Sequence, residues 1–195
     1  METIQNQNRR AFLKKTGTGA LVIAAGMTAS GSILGSLSAT ANTKTGGTAI
    51  SLTEADFRNG VMPRAQLSRA ASQLAVNKAT QKNAAEFAGF ELEEAIAVIK
   101  VLEDVGTKVP VMSAEGKAFI EKLKAASGNE FDRLYMEAEL TNHEFLRDLA
   151  KSYLSNAAGK TSAAEKGTYH LATLALFAFD EHVALCKRIY REVSA

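Results

Sequence analysis

Tryptophan is missing from this chain of 195 residues, cysteine occurs once and proline twice. A single thiol, Cys186, excludes an intramolecular disulfide, so stability must come from a packed core. Two prolines leave long stretches free to form helices. No segment alternates apolar and polar residues in the manner of a half-buried strand. There is no glycine-rich phosphate loop, and the lone cysteine has no evident base beside it, so nothing points to phosphate-binding or nucleophilic catalysis. Basic stripes interleaved with aromatics are also missing, which argues against nucleic acid as a partner.

What the chain does have is 46% hydrophobic and 23% charged residues, the balance of a globular protein. Abundant Ala, Leu, Glu and Lys favour helices. The first 41 residues stand apart. "NRRAFLKK" precedes an uncharged stretch rich in Gly, Ser and Thr, which ends in "SATAN". Arg9, Arg10, Phe12, Leu13 and Lys14 resemble a twin-arginine export signal. Ala39 and Ala41 fit a small-residue cleavage site, with cutting before Asn42. The stretch is long enough to span a membrane, but its many small polar residues disfavour a permanent anchor. The expectation is therefore a periplasmic or otherwise exported protein that meets the twin-arginine machinery and a signal peptidase. Removing residues 1–41 takes 23 basic and 21 acidic residues to 19 and 20. The basic character belongs to the signal.

Residues 42–51 read as a polar linker, and 52–195 as one helical domain. Thr53 opens a short helical piece that Gly60 interrupts, and Pro63 suits the first turn of a helix A running to Lys78. Its inner line is Leu67, Ala70, Ala71, Leu74 and Ala75, with Ser68 and Ser72 nearby. Thr80 is the expected N-cap of helix B, which Gly106 stops. Ser113 opens a short extra helix. Helix C runs from about Asn129 to Gly159, and Thr161 or Ser162 caps helix D. Amphipathic helices with short connections predict an all-α fold, an antiparallel four-helix bundle.

Helical spacing of about 100° per residue puts Phe87, Val98, Val101, Leu102 and Val105 on the inner face of helix B. Glu91 lies near its centre and Glu94 to one side. Helix C turns Phe131, Leu134, Tyr135, Ala138, Phe145, Leu146 and Leu149 inward, with Asn142 among them and Glu139 and His143 at the edge. Helix D turns in Leu171, Leu174, Ala178, Leu185, Cys186, Ile189 and Val193, with His182 near the centre; His170 falls on the polar side. Three helices thus each carry polar side chains inward at mid-length. Either these groups pair with one another in a buried network, or they hold a divalent ion such as iron, manganese or zinc. The candidate metal residues are Glu91, Glu94, Glu139, His143 and His182.

The segments "SQLAVNKAT", "EFAGFELEEA", "FDRLYMEAELTNHEFL" and "FDEHVALCKRI" resemble a family of exported bacterial ferritin-like four-helix bundles of unknown function, often labelled outer-membrane proteins. The resemblance covers about three quarters of the chain. It implies an acidic-His pair on each of three helices: Asn142-His143 and Glu181-His182 match two of them, and Glu94-Ala95 lacks the histidine of the third. With no catalytic motif in the chain, the expected role is that of an envelope binding or stress-related protein without catalysis, with metal binding or redox chemistry as the alternative. A full di-iron centre is not expected. Leu140 and Phe179 stand where Glu-x-x-His motifs need glutamates, and helix A offers no carboxylate.

Overall fold

A computed structural model describes residues 52–155 and 163–195. The export-signal residues Arg9, Arg10, Phe12, Leu13 and Lys14, the cleavage residues Ala39, Ala41 and Asn42, the linker and the Thr161/Ser162 cap lie outside the described residues. The described chain is all-helical: α1 (Glu54–Lys78), α2 (Lys82–Asp104), α3 (Ala114–Ala125), α4 (Gly128–Ser155) and α5 (Ala163–Ser194). Among the described residues no helix is long and apolar enough to cross a membrane.

The starts of α1, α2 and α3 have local causes. Thr53 and Asp56 form a capping box at α1: the Thr53 hydroxyl accepts from the Asp56 N–H at 3.1 Å, and the Asp56 carboxylate accepts from the Thr53 N–H at 2.9 Å. The helix then runs unbroken through Gly60 and Pro63, against the expected interruption. Pro63 leaves one carbonyl without its helical N–H, but Phe57, Val61 and Met62 are all fully buried around it. Each such burial stabilises by about 1.5–3 kcal/mol, enough to outweigh a proline penalty of about 3 kcal/mol. Gly60 has a packing reason, since a Cβ there would lie 2.6 Å from Cδ2 of Leu149.

Thr80 does not cap α2. Its N–H and hydroxyl both bond the Asp132 carboxylate, and Gln81 caps the helix by accepting from the Ala84 N–H at 2.7 Å. Gly106, at φ +83°, ends α2 in the left-handed conformation open to glycine. Ser113 caps α3 as expected, accepting from the Gly116 N–H.

Paired side chains fix the helix directions. Ser68 meets Glu139 and Ser72 meets Tyr135, so α1 and α4 run oppositely. Gln81 meets Asp132, and further along Glu91 meets His143, so α2 and α4 run the same way. Glu144 pairs with Lys187 and Lys151 with Asp180, so α4 and α5 are antiparallel. The closest pairings are α1 with α2 and α4 with α5, and α1 also lies along α4. The backbones of α2 and α5 stay further apart, and long side chains bridge them.

Two apolar clusters fill the interior. One gathers Phe87, Leu123, Phe131, Tyr135, Cys186 and Ile189; the other gathers Phe57, Met62, Leu102, Leu146, Tyr153 and Phe179. Three residues expected inside are exposed: Val101, Phe145 and Leu174. The buried line of α2 passes through Ala95, Ile99 and Leu102, and that of α5 through Ala175, Phe179 and Val183. Both lines are turned from the ideal wheel, which leaves Val101 and Leu174 outside. Phe145 lies under the Arg64 guanidinium, 4.3 Å from its ring centre, a cation–π contact at the surface.

Candidate metal centre

Along α1, α2, α4 and α5 alike, the residues of one apolar cluster give way to those of the other at mid-length, and polar residues occupy the change-over. Ser68 and Ser72 come from α1, Glu91 from α2, Glu139, Asn142 and His143 from α4, and His182 from α5. All are buried, His182 the least at 8% exposure. The fold therefore carries a polar belt between two apolar halves.

Three donor atoms converge there. His182 Nδ1 lies 3.1 Å from Glu91 Oε2 and 3.1 Å from His143 Nε2. His143 Nε2 lies 3.3 Å from the same Glu91 oxygen. A hydrogen bond between His182 Nδ1 and His143 Nε2 accounts for one edge, but Glu91 Oε2 is buried and makes no well-aligned hydrogen bond with either ring. A first-row metal with bonds of about 2.0–2.1 Å holds tetrahedral ligands about 3.3 Å apart. The three spacings are close to that value.

Each donor residue is held from behind. The second ring nitrogen of His143, Nδ1, lies 2.8 Å from the Glu139 backbone carbonyl, four residues back on α4. The carbonyl only accepts, so Nδ1 carries a proton, and Nε2 is the nitrogen left to face the triangle. The second nitrogen of His182, Nε2, faces Glu94 Oε2 at 3.4 Å. The second oxygen of Glu91, Oε1, lies 2.5 Å from the Ser68 hydroxyl. Outer partners of this kind orient metal ligands and fix their tautomers. Phe87 packs edge-on against both imidazoles, and Phe179 against His143.

Charge is distributed unevenly. Burial opposes ionisation of Glu91, but His143 and His182 hold its pKa down at about 2. Burial and the Glu91 charge push Glu139 up to about 8. The Ser68 oxygen also sits 2.7 Å from Glu139 Oε2. One hydroxyl hydrogen cannot serve two carboxylates. Protonated Glu139 therefore donates to Ser68, and Ser68 donates to Glu91. Burial works against a charged His143, but Glu91 beside it raises its pKa well above the ordinary value. Burial, with Glu91 and Glu181 nearby, raises Glu94 despite the attraction of His182. Cys186 is buried, and its thiol is pushed up to about 11 by that burial, as expected of a packing residue.

Of the five candidate residues, Glu91, His143 and His182 form the triangle, and among the described residues they are the one group placed to hold an ion. Glu94 and Glu139 stand one step behind. Glu139 and His143, expected at the edge of their face, are almost fully buried. His170 is exposed as expected. Ser68, which joins Glu91 to Glu139, has one mark in the sequence: a pair of serines at i and i+4 beside an alanine-rich inner line.

The chain belongs to the family described as Domain of unknown function (DUF4142), which matches residues 39–166. The match takes in Glu91, Glu94, Glu139 and His143 and ends before His182. Comparison with curated proteins and with solved structures finds no match.

Proposed function

We propose that this chain is an exported, ferritin-like four-helix bundle that binds one divalent first-row ion, iron, manganese or zinc, through Glu91, His143 and His182. The observation that carries the metal reading is the triangle of three donors at 3.1, 3.1 and 3.3 Å, each backed by its own hydrogen-bonding or charged partner. The nitrogen–nitrogen–oxygen donor set suits these metals. The ferritin-like reading draws support from direction: α1 and α4 are antiparallel, α4 and α5 are antiparallel, and the parallel helices α2 and α4 need a long crossover, which here includes α3. Export rests on the twin-arginine-like segment and places the protein in the periplasm, after passage through that machinery and cleavage by a signal peptidase.

The test is elemental analysis of protein purified from its export route without chelator, beside a Glu91→Ala, His182→Ala double variant. We expect close to one equivalent of metal in the wild type and a residue-level trace in the variant. A folded wild type that is metal-free and takes up no added Fe²⁺, Mn²⁺ or Zn²⁺ refutes the assignment; the belt is then a structural network.

A second reading has its own observation. Phe90, Leu174 and Phe177 are 66%, 73% and 73% exposed, unusually open for large apolar side chains. They favour a non-catalytic role in binding another envelope component, which the metal site would accompany rather than replace. Phe177→Ser should then weaken retention in envelope fractions while leaving metal content unchanged.

A further inference from the structure

Beside the triangle lies a small cavity lined by Glu91, His143 and Ser68 and by the apolar side chains of Val61, Val98 and Leu146. Asn142 also lines it. This asparagine is 4% exposed, and neither its Oδ1 nor its Nδ2 has a hydrogen-bond partner. An amide buried in that condition costs about 1–3 kcal/mol for each unpaired group. Leucine at position 142 would pack against the same neighbours without that cost.

Three protein donors leave a first-row ion at least one coordination position short. The cavity adjoins two of the three donor residues, and its one amide offers both a donor and an acceptor. We infer that the cavity is the binding place of a small exogenous ligand of one or two heavy atoms, bonded to the ion at one end and hydrogen-bonded by Asn142 at the other. Water, hydroxide and two-atom molecules share that chemistry. The space is of the order of one water molecule, which excludes organic substrates. Glu94 also lines the cavity and, with a side chain 29% exposed, is the open polar part of its wall.

This inference rests on the metal reading, and the experiment separates the two. The full chain is loaded with Fe²⁺ under anaerobic conditions, its iron content measured, and nitric oxide added as a two-atom probe followed by electron paramagnetic resonance. Asn142→Leu and Val98→Phe are treated identically, with circular dichroism as the check on folding. The expected result is a high-spin iron–nitrosyl signal in the wild type, about tenfold weaker nitric oxide binding per iron in Asn142→Leu, and loss of the signal in Val98→Phe. Iron without a nitrosyl signal overturns the ligand cavity and leaves the metal site standing. A signal of equal affinity in wild type and Asn142→Leu overturns the role of Asn142. A chain that takes up none of Fe²⁺, Mn²⁺ and Zn²⁺ overturns both readings.

Discussion

Asp132 offers the sharpest test of how the belt is kept in register. It is fully buried on α4 and reaches across to the turn between α1 and α2. Its carboxylate accepts from the Thr80 N–H at 3.0 and 3.2 Å, from the Thr80 hydroxyl at 2.6 Å and from the Gln81 N–H at 2.8 Å. Bonds to a charged group each contribute about 1.5–3 kcal/mol. They share one acceptor and the turn can partly rehydrate, so the sum is not additive. Asp132→Ala leaves the Thr80 and Gln81 N–H groups unpaired and, at about 1–3 kcal/mol for each, should cost about 3–4 kcal/mol. Asp132→Asn is the more telling change. It keeps size and one carbonyl oxygen but points an NH₂ group at a backbone or hydroxyl donor, and should cost about 2 kcal/mol. Urea denaturation followed by circular dichroism gives both values, with the exposed Asp148→Asn as a control expected within about 0.5 kcal/mol of wild type. If Asp132→Asn falls in the same narrow range as the control, the charged clamp contributes nothing and the turn is held by packing alone.

Glu139→Gln should change how stability of the metal-free protein depends on pH. The folded pKa of Glu139, about 8, exceeds its ordinary 4.5, so the folded state retains a proton that the unfolded chain gives up. Stability is therefore lost as pH rises from about 4.5 through about 8. Glutamine donates to Ser68 at every pH; the variant should match wild type near pH 5 and exceed it near pH 8, and melting curves at the two values that move in parallel would disprove the protonated-Glu139 relay. Thr53→Ala removes the capping box of α1 and should cost about 1 kcal/mol, or about 2–4 °C in melting temperature. Part of that loss should vanish in acid: the Thr53 hydroxyl and N–H hold Asp56 below 3.8, a contribution present above that pH and lost as pH falls through the lowered value. An unchanged melting temperature at neutral pH would show that α1 starts without its cap.

Helical periodicity located the helices and the centre of the belt because Glu91 and His182 interrupt otherwise apolar faces, which any wheel exposes. It could not show that the two meet, since 91 residues separate them and only the docking of helices brings them to 3.1 Å. Val101 and Leu174 were misplaced because apolar character constrains the surface weakly; a Leu can stay outside at small cost. Phe145 was misplaced because its cover, Arg64, comes from another helix. Gly60 and Pro63 looked like a break because local propensity was read without the burial of Phe57 and Met62. Asp132 escaped notice for a related reason. Two of its partners are backbone N–H groups, which leave no mark in the sequence, and the third, the Thr80 hydroxyl, stands 52 residues away.

The belt divides between two halves of the chain. Glu91 stands on the α1–α2 hairpin, while His143 and His182 stand on the α4–α5 hairpin, with α3 in the connection between them. Undocked, one hairpin would offer a single carboxylate and the other two imidazoles, and neither alone is a complete set. Capture of an ion would thus be a switch closed by tertiary assembly. If the proposed site holds an ion, a chain nicked in the exposed stretch 108–111 should release it at the rate at which the two halves part, making metal exchange a clock for the opening of the domain.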